Sequence, residues 1–210
     1  MDERFHLIDH PLLEHKLCQL RDDNTGTKEF RFLVSEMTTL LCYEATRDIP
    51  LHDKRVKTPL GYADCKEIEG KTLAAVAILR AGLGMVDGVM TLVPSAKIGH
   101  IGIYKDETTK KPVEYYCKMP TDISSRQVLL LEPMLATGET TSYAAQIIEN
   151  YRCHDIKLLC LVAHKDAVER LLKEHPTLHI YCAALDDQVN EKGFLVPGVG
   201  DAGERMFGTH

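Results

Sequence analysis

After Val128 the chain runs through apolar residues into Glu132-Pro133-Met134-Leu135-Ala136-Thr137-Gly138-Glu139-Thr140-Thr141. A carboxylate accepts hydrogen bonds from sugar hydroxyls, and small residues let a ligand approach the backbone. If this loop feeds a helix, the first N–H groups and the positive dipole end form a phosphate seat. Thr137, Thr140 and Thr141 add hydroxyl donors. Glu132 repels phosphate, so the chemistry suggested is a ligand with hydroxyls at one end and phosphate at the other. The same residues also suit a plain strand-to-helix turn, and taken alone they do not choose. No Lys-Ser/Thr pair follows Gly138, which excludes a P-loop.

Three further stretches carry candidate chemistry. Arg80-Ala81-Gly82-Leu83-Gly84 offers a guanidinium fork that matches diphosphate oxygens, on glycines that a tight turn alone would also justify. Lys105 to Met119 is charged and turn-rich, and its plainest reading is a solvated hairpin. The last segment places glycines 193, 198, 200, 203 and 208 among Phe194, Leu195, Val196, Met206 and Phe207, apolar enough to anchor an ordered loop. Asp201 is the carboxylate in its "GVGDAGER" turn, where capping is a frequent use of aspartate. His6, His10 and His15 suggest a metal face on a helix. Pro11 interrupts that segment, so zinc is set aside.

The elements that must position these groups follow from hydrophobic pattern. Residues 27–48 place Phe30, Leu33, Val34, Met37, Leu40 and Leu41 on one helical stripe, with Thr27 expected as N-cap. A Pro- and charge-containing connection is expected from Ile49 to Gly70. Short apolar runs at 72–79, 97–104, 127–132 and 156–163 read as strands, with helices expected over 83–93, Ser142 to Tyr151 and Asp166 to His175. Nearly continuous apolar strands imply a mostly parallel sheet covered on both faces, hence a doubly wound α/β fold. Arg80, Lys105 and Glu132 all follow strand ends, where ligands sit in such sheets.

With 210 residues, 44% hydrophobic and 27% charged, the chain fits a single soluble domain over 1–210. A net charge of −6 argues against a nucleic-acid partner. No apolar run is long enough to span a membrane, and "MDERFHLIDH" is no secretory signal. Seven cysteines without a C-x-x-C pair suggest free thiols in a reducing cytoplasm.

"LEPMLATGETT" resembles the phosphoribosyl-diphosphate loop of type I phosphoribosyltransferases, in the form used by the uracil phosphoribosyltransferase family. "ILRAGLGMVDG", "GHIGIYKDETTKKPVEYYCKMP", "NEKGFLVPGVGDAGERMFGT" and "IDHPLLEHKLCQLRDDNTGTKEFR" resemble other motifs of that family, in order and nearly end to end. The resemblance implies transfer of a phosphoribosyl group from 5-phosphoribosyl 1-diphosphate to uracil, with Mg²⁺ carried mainly by the diphosphate. It implies an N-terminal helical segment at about 10–48, a mobile flap at about 105–120 and a base-binding hood at about 186–210. The residues it assigns to phosphoribosyl diphosphate are Arg80, Lys105, Glu132 to Thr140 and Asp201. Leu195, Gly200, Asp201 and Ala202 are assigned to uracil, and Arg80 and Asp201 to catalysis. It names no direct metal ligand. It also implies a non-proline cis peptide at Arg80–Ala81, a homodimer or homotetramer, and GTP as a possible effector.

The chain departs from the family pattern in four places: Glu132 for aspartate, Glu139 for glycine, Lys105 for arginine, and "AHKDAVE" for Ala-Pro-Glu-Gly. These keep open a non-catalytic nucleotide-sensing regulator on the same fold. Intact hood residues favour the enzyme. A carboxylate at Glu139 is expected to turn to solvent or pair with a cation.

Overall fold

The computed structural model describes residues 2–70, 73–106, 108–109 and 111–209. Thr72, where the first strand was expected to begin, lies outside them, as do Glu107 and Lys110 of the flap. In chain order the elements are β1 (Phe5–Leu7), α1 (Pro11–Arg21), α2 (Thr27–Ala45), β2 (Leu51–Thr58), β3 (Gly61–Ile68), β4 (Leu73–Leu79) and α3 (Val86–Leu92). There follow β5 (Lys97–Lys105), β6 (Pro112–Lys118), β7 (Gln127–Leu131), β8 (Met134–Leu135), α4 (Glu139–Asn150) and β9 (Ile156–His164). The chain ends with α5 (Lys165–Glu174), β10 (Leu178–Asp186), β11 (Gln188–Val189), β12 (Leu195–Val196) and α6 (Ala202–Phe207).

The main sheet has the order β1-β10-β9-β7-β4-β5-β6, with β8 beside β9. All pairs are parallel except β5–β6. Its central strands β4, β7 and β9 are almost wholly apolar because each buries both faces. Ala74, Val76, Leu130 and Leu158 point into one core with Ala144 and Ile148 of α4 and Leu171 of α5. Their neighbours Leu73, Ala75, Leu129 and Leu159 point into the other, with Phe30, Met37 and Leu41 of α2 and Val89 of α3. The doubly wound expectation is met.

From β4 the chain winds outward through α3 to β5, and from β7 it winds the opposite way through α4, β9 and α5 to β10. The switch point therefore lies between the carboxyl ends of β4 and β7, where Arg80 and Glu132 begin their loops. In open α/β sheets that crevice is where ligands bind.

Several local expectations shift. Helix α2 is capped by Gly26, not Thr27, because Phe30 N–H already bonds the Gly26 carbonyl at 2.9 Å. Pro11 starts α1 at its first turn, where its missing N–H costs nothing, and the His10 ring accepts from Leu12 N–H. His6 lies in β1 and stacks on Tyr181; no metal-holding group of three or more His, Cys, Asp or Glu occurs among the described residues. The connection 49–70 is an antiparallel hairpin, β2–β3. Its strands are charged and exposed, so they carry no apolar alternation to read. The flap segment is an extension of the sheet: β6 pairs with β5, and Asp106 organises the turn by accepting from Thr109 N–H at 2.7 Å.

Candidate active site

Two adjoining cavities, of about 290 and 200 Å³, open at the switch point. They share Ala81, Glu132, Met134, Ala136 and Gly193. The larger is completed by Arg80, Thr137, Gly138, Thr140 and Thr141. The smaller is completed by Phe194, Leu195 and the turn from Gly200 to Gly203.

The larger cavity is built from two strand-to-helix turns. After β4 a 3-10 turn, Ala81–Met85, brings Gly82 so close to the end of β7 that a Cβ there would meet the Leu131 carbonyl oxygen at 2.2 Å. The non-proline cis bond is Leu79–Arg80, one peptide earlier than expected, where β4 gives way to the turn. Arg80 is exposed, with Nη1 3.4 Å from Thr209 Oγ1. On the β7 side, Gly138 takes a left-handed φ of 73° and α4 starts at once, three residues before the helix expected from Ser142. Glu139, Thr140 and Thr141 are thus its first turn. No side chain caps that terminus, so its N–H groups and dipole end are available to an anion. Ser142 Oγ lies 2.9 Å from His175 Nε2, and His175 Nδ1 lies 2.8 Å from Glu149 Oε1, which ties α4 to the end of α5.

Glu132 follows β7, its backbone N–H bonded to the Leu159 carbonyl at 3.2 Å. Its surface opens partly onto both cavities, yet the protein packed around it desolvates the carboxyl. Burial pushes its pKa up to about 8, against a hydrogen bond from the Met134 backbone. The extended stretch alternates: Glu132, Met134 and Ala136 line the cavities, while Pro133 and Leu135 are buried behind them. Neither lines a cavity, and the Pro133 carbonyl accepts from Leu161 and Val162 N–H.

Lys105 and Glu139 line neither cavity. They pair with each other, Nζ to Oε2 at 2.7 Å, so Glu139 has the cation partner expected of it.

In the hood, β11 and β12 pair antiparallel and Val196–Pro197 is cis. Asp201 is the N-cap of α6, accepting from Glu204 N–H at 2.9 Å. Leu195, Gly200, Asp201 and Ala202 come together around the smaller cavity. The groups that hold them there were not singled out from sequence. Arg21 forks onto Asp186 (2.6 and 3.0 Å) and also bonds the Gly198 carbonyl, and Asp186 accepts from Gly198 N–H at 2.7 Å. Arg205 donates to the Leu20, Val199 and Asp22 carbonyls and lies over the Phe30 ring. Met206 of α6 packs on Gly84, joining the hood to the Arg80 turn.

The sequence pattern described as uracil phosphoribosyltransferase matches residues 7–209. The chain belongs to the uracil phosphoribosyltransferase family. A uracil phosphoribosyltransferase of Halalkalibacterium halodurans is 51% identical over 206 residues, 98% of this chain and 99% of that one. One from Thermoanaerobacter is 52% identical over 203 residues, 97% of each chain. A solved protein of Aquifex aeolicus superposes with a TM-score of 0.92 at 32% identity, covering 98% of both chains. A hypoxanthine phosphoribosyltransferase of Trypanosoma cruzi shares the fold more distantly, with a TM-score of 0.52 at 12% identity over 76% of this chain and 75% of that one. This phosphoribosyltransferase thus gathers its sheet switch point, an uncapped helix terminus and the glycine-rich C-terminal segment at adjoining cavities.

Proposed function

We propose that this phosphoribosyltransferase moves the 5-phosphoribosyl group of 5-phosphoribosyl 1-diphosphate onto N1 of uracil, giving uridine monophosphate and diphosphate. One observation carries the reading: a cavity with an uncapped helix terminus shares a wall with a second one lined by glycine-rich backbone. That pair suits a sugar phosphate joined to a small flat base. The bond from sugar C1 to diphosphate breaks with its electrons leaving on the diphosphate, a C1–N1 bond forms, and the N1 proton is released.

The segment Ala136 to Thr140 and the α4 terminus seat the 5-phosphate, and Glu132 meets the ribose hydroxyls. Arg80 contacts the diphosphate, and Lys105 reaches it from the flap at 105–120. Main-chain groups of Leu195, Gly200 and Ala202 in the hood, 186–210, read the alternating carbonyl and N–H edge of uracil. The amino group of cytosine reverses one of those pairings. Asp201 stands between base and diphosphate, where its charge favours the developing cationic sugar. Holding both substrates in line supplies much of the rate.

Asp201 offers a hard cation one carboxylate, and no cage of three or more such donors occurs among the described residues. That fits Mg²⁺ carried chiefly on diphosphate oxygens, where it would supply positive charge against the leaving group.

A cytoplasmic homodimer or homotetramer, each chain one domain over 1–210, completes the reading. Free cysteines support the compartment. Hairpin β2–β3 supports the oligomer: Leu51, Leu60, Tyr62 and Ile68 are exposed on it, and a lone two-stranded hairpin is marginal in water. Sedimentation tests the assembly, and adding GTP to the assay tests the effector carried over from the resemblance. The deciding experiment incubates the protein with phosphoribosyl diphosphate, Mg²⁺ and each common base. Uridine monophosphate from uracil alone is expected; tight binding of phosphoribosyl diphosphate without product would make the protein a sensor instead.

A further inference from the structure

Lys105 closes β5 at the root of the β5–β6 hairpin, and Glu139 is the first residue of α4. Their ion pair bridges the flap and the phosphate loop at 2.7 Å. Gly138 and Thr140, on either side of Glu139, both line the larger cavity. A carboxylate in a helix's first turn is favoured by the same dipole field that favours phosphate. Glu139 therefore occupies, in the free protein, the Lys105 ammonium that an anionic ligand requires, and its charge lies in the field of the same helix terminus. With side-chain exposures of 49% and 41%, the pair is weak and easily exchanged.

A second place for the Glu139 carboxylate lies on the outer flank of α4. Glu139 borders a separate cavity of about 340 Å³ there, with Lys111, Arg170 and Glu174. Arg170 of α5 sits against the loop, its Nη2 3.5 Å from where a Cβ on Gly138 would be. Its Nε is buried without a hydrogen-bond partner, and the Glu174 carboxylate stands 3.5 Å away. The Arg170 guanidinium, paired through Nε with Glu174, thus borders the same cavity as Glu139.

We propose that Glu139 is a built-in stand-in for substrate phosphate. It holds Lys105 in the free enzyme, yields it to the diphosphate when phosphoribosyl diphosphate binds, and turns to Arg170. This rests on the phosphoribosyl-transfer reading above. Glu139 is then a positioning residue that sets the threshold for substrate binding and takes no part in bond exchange.

The test measures the dissociation constant of phosphoribosyl diphosphate with Mg²⁺ by calorimetry, beside kcat and melting temperature. The proteins compared are the wild type, Glu139→Gln, Lys105→Met, the double variant and Arg170→Met. Glu139→Gln is expected to tighten binding about two- to fivefold, the range of a half-exposed ion pair. The gain should shrink at high salt. It should also largely vanish in the Lys105→Met background, and Arg170→Met should weaken binding. Unchanged or weaker binding in Glu139→Gln overturns the proposal. The same gain without Lys105 reduces Glu139 to simple repulsion, and unaltered binding in Arg170→Met removes the second position. A protein that binds phosphoribosyl diphosphate yet forms no product overturns the transfer reading alone, because the binding cycle remains readable.

Discussion

The phosphate loop and the hood wall the same site but are built differently. The loop is one continuous segment, Glu132 to Thr141, and the groups proposed to bind anions are the backbone of a single helix start. The hood takes its shape from residues far away in sequence: Arg21 and the carbonyls of Leu20, Asp22 and Thr25 hold Asp186, Gly198 and Arg205. A local cradle can survive loss of any one distant contact, whereas a clamped loop depends on its clamp. The two halves of the site should therefore fail separately.

The largest separation is expected from Asp186→Ala. The Asp186 carboxylate is almost wholly buried and makes two bonds to Arg21 and one to Gly198. Removing one partner of a buried pair costs about 3–5 kcal/mol. A lowered melting temperature, and a uracil KM raised far more than that for phosphoribosyl diphosphate, would bear the comparison out. Equal damage to both constants would break it.

Gly82→Ala is the converse case, striking the loop side. A Cβ 2.2 Å from the Leu131 carbonyl must push the Arg80 turn away from β7. Such overpacking costs about 1–3 kcal/mol. Weaker phosphoribosyl diphosphate binding is expected, with uracil KM less affected.

Glu132 sharpens the comparison through pH. Burial raises its carboxyl from the ordinary 4.5 to about 8. The folded state thus retains a proton that the unfolded chain gives up. Stability from this group is complete below pH 4.5 and is lost as pH rises to about 8. Glu132→Gln removes that loss, so its melting temperature should exceed the wild type's by more at pH 8 than at pH 5. A constant difference across that window would mean the carboxyl is not desolvated.

The smallest stability effect, and the finest distinction, belongs to Asp201. Asparagine caps a helix about as well as aspartate, so Asp201→Asn should leave the melting temperature nearly intact. If its charge acts in the reaction, turnover falls about tenfold or more, roughly 1.4 kcal/mol in the barrier. Normal turnover would leave Asp201 as the cap of α6 and nothing further.

What the sequence determined by itself was whatever rests on local periodicity or on one segment's backbone. Doubly buried strands announce themselves as apolar runs, so β4, β7 and β9 and the parallel sheet were legible. Gly138 and the small residues around it announced a helix start, although α4 begins at Glu139 and not at the expected Ser142. Hairpin β2–β3 was missed, although Pro59 and Gly61 mark its turn, because exposed strands bury no face and leave no alternation. The alternation that turns Pro133 and Leu135 away from the cavities was readable in principle. Only the tertiary structure decided that Lys105 meets Glu139, that Arg21 finds Asp186, and that Glu132 loses its water. Each of these depends on elements distant in the chain arriving side by side, and charge or burial at one position carries no record of what will be packed against it.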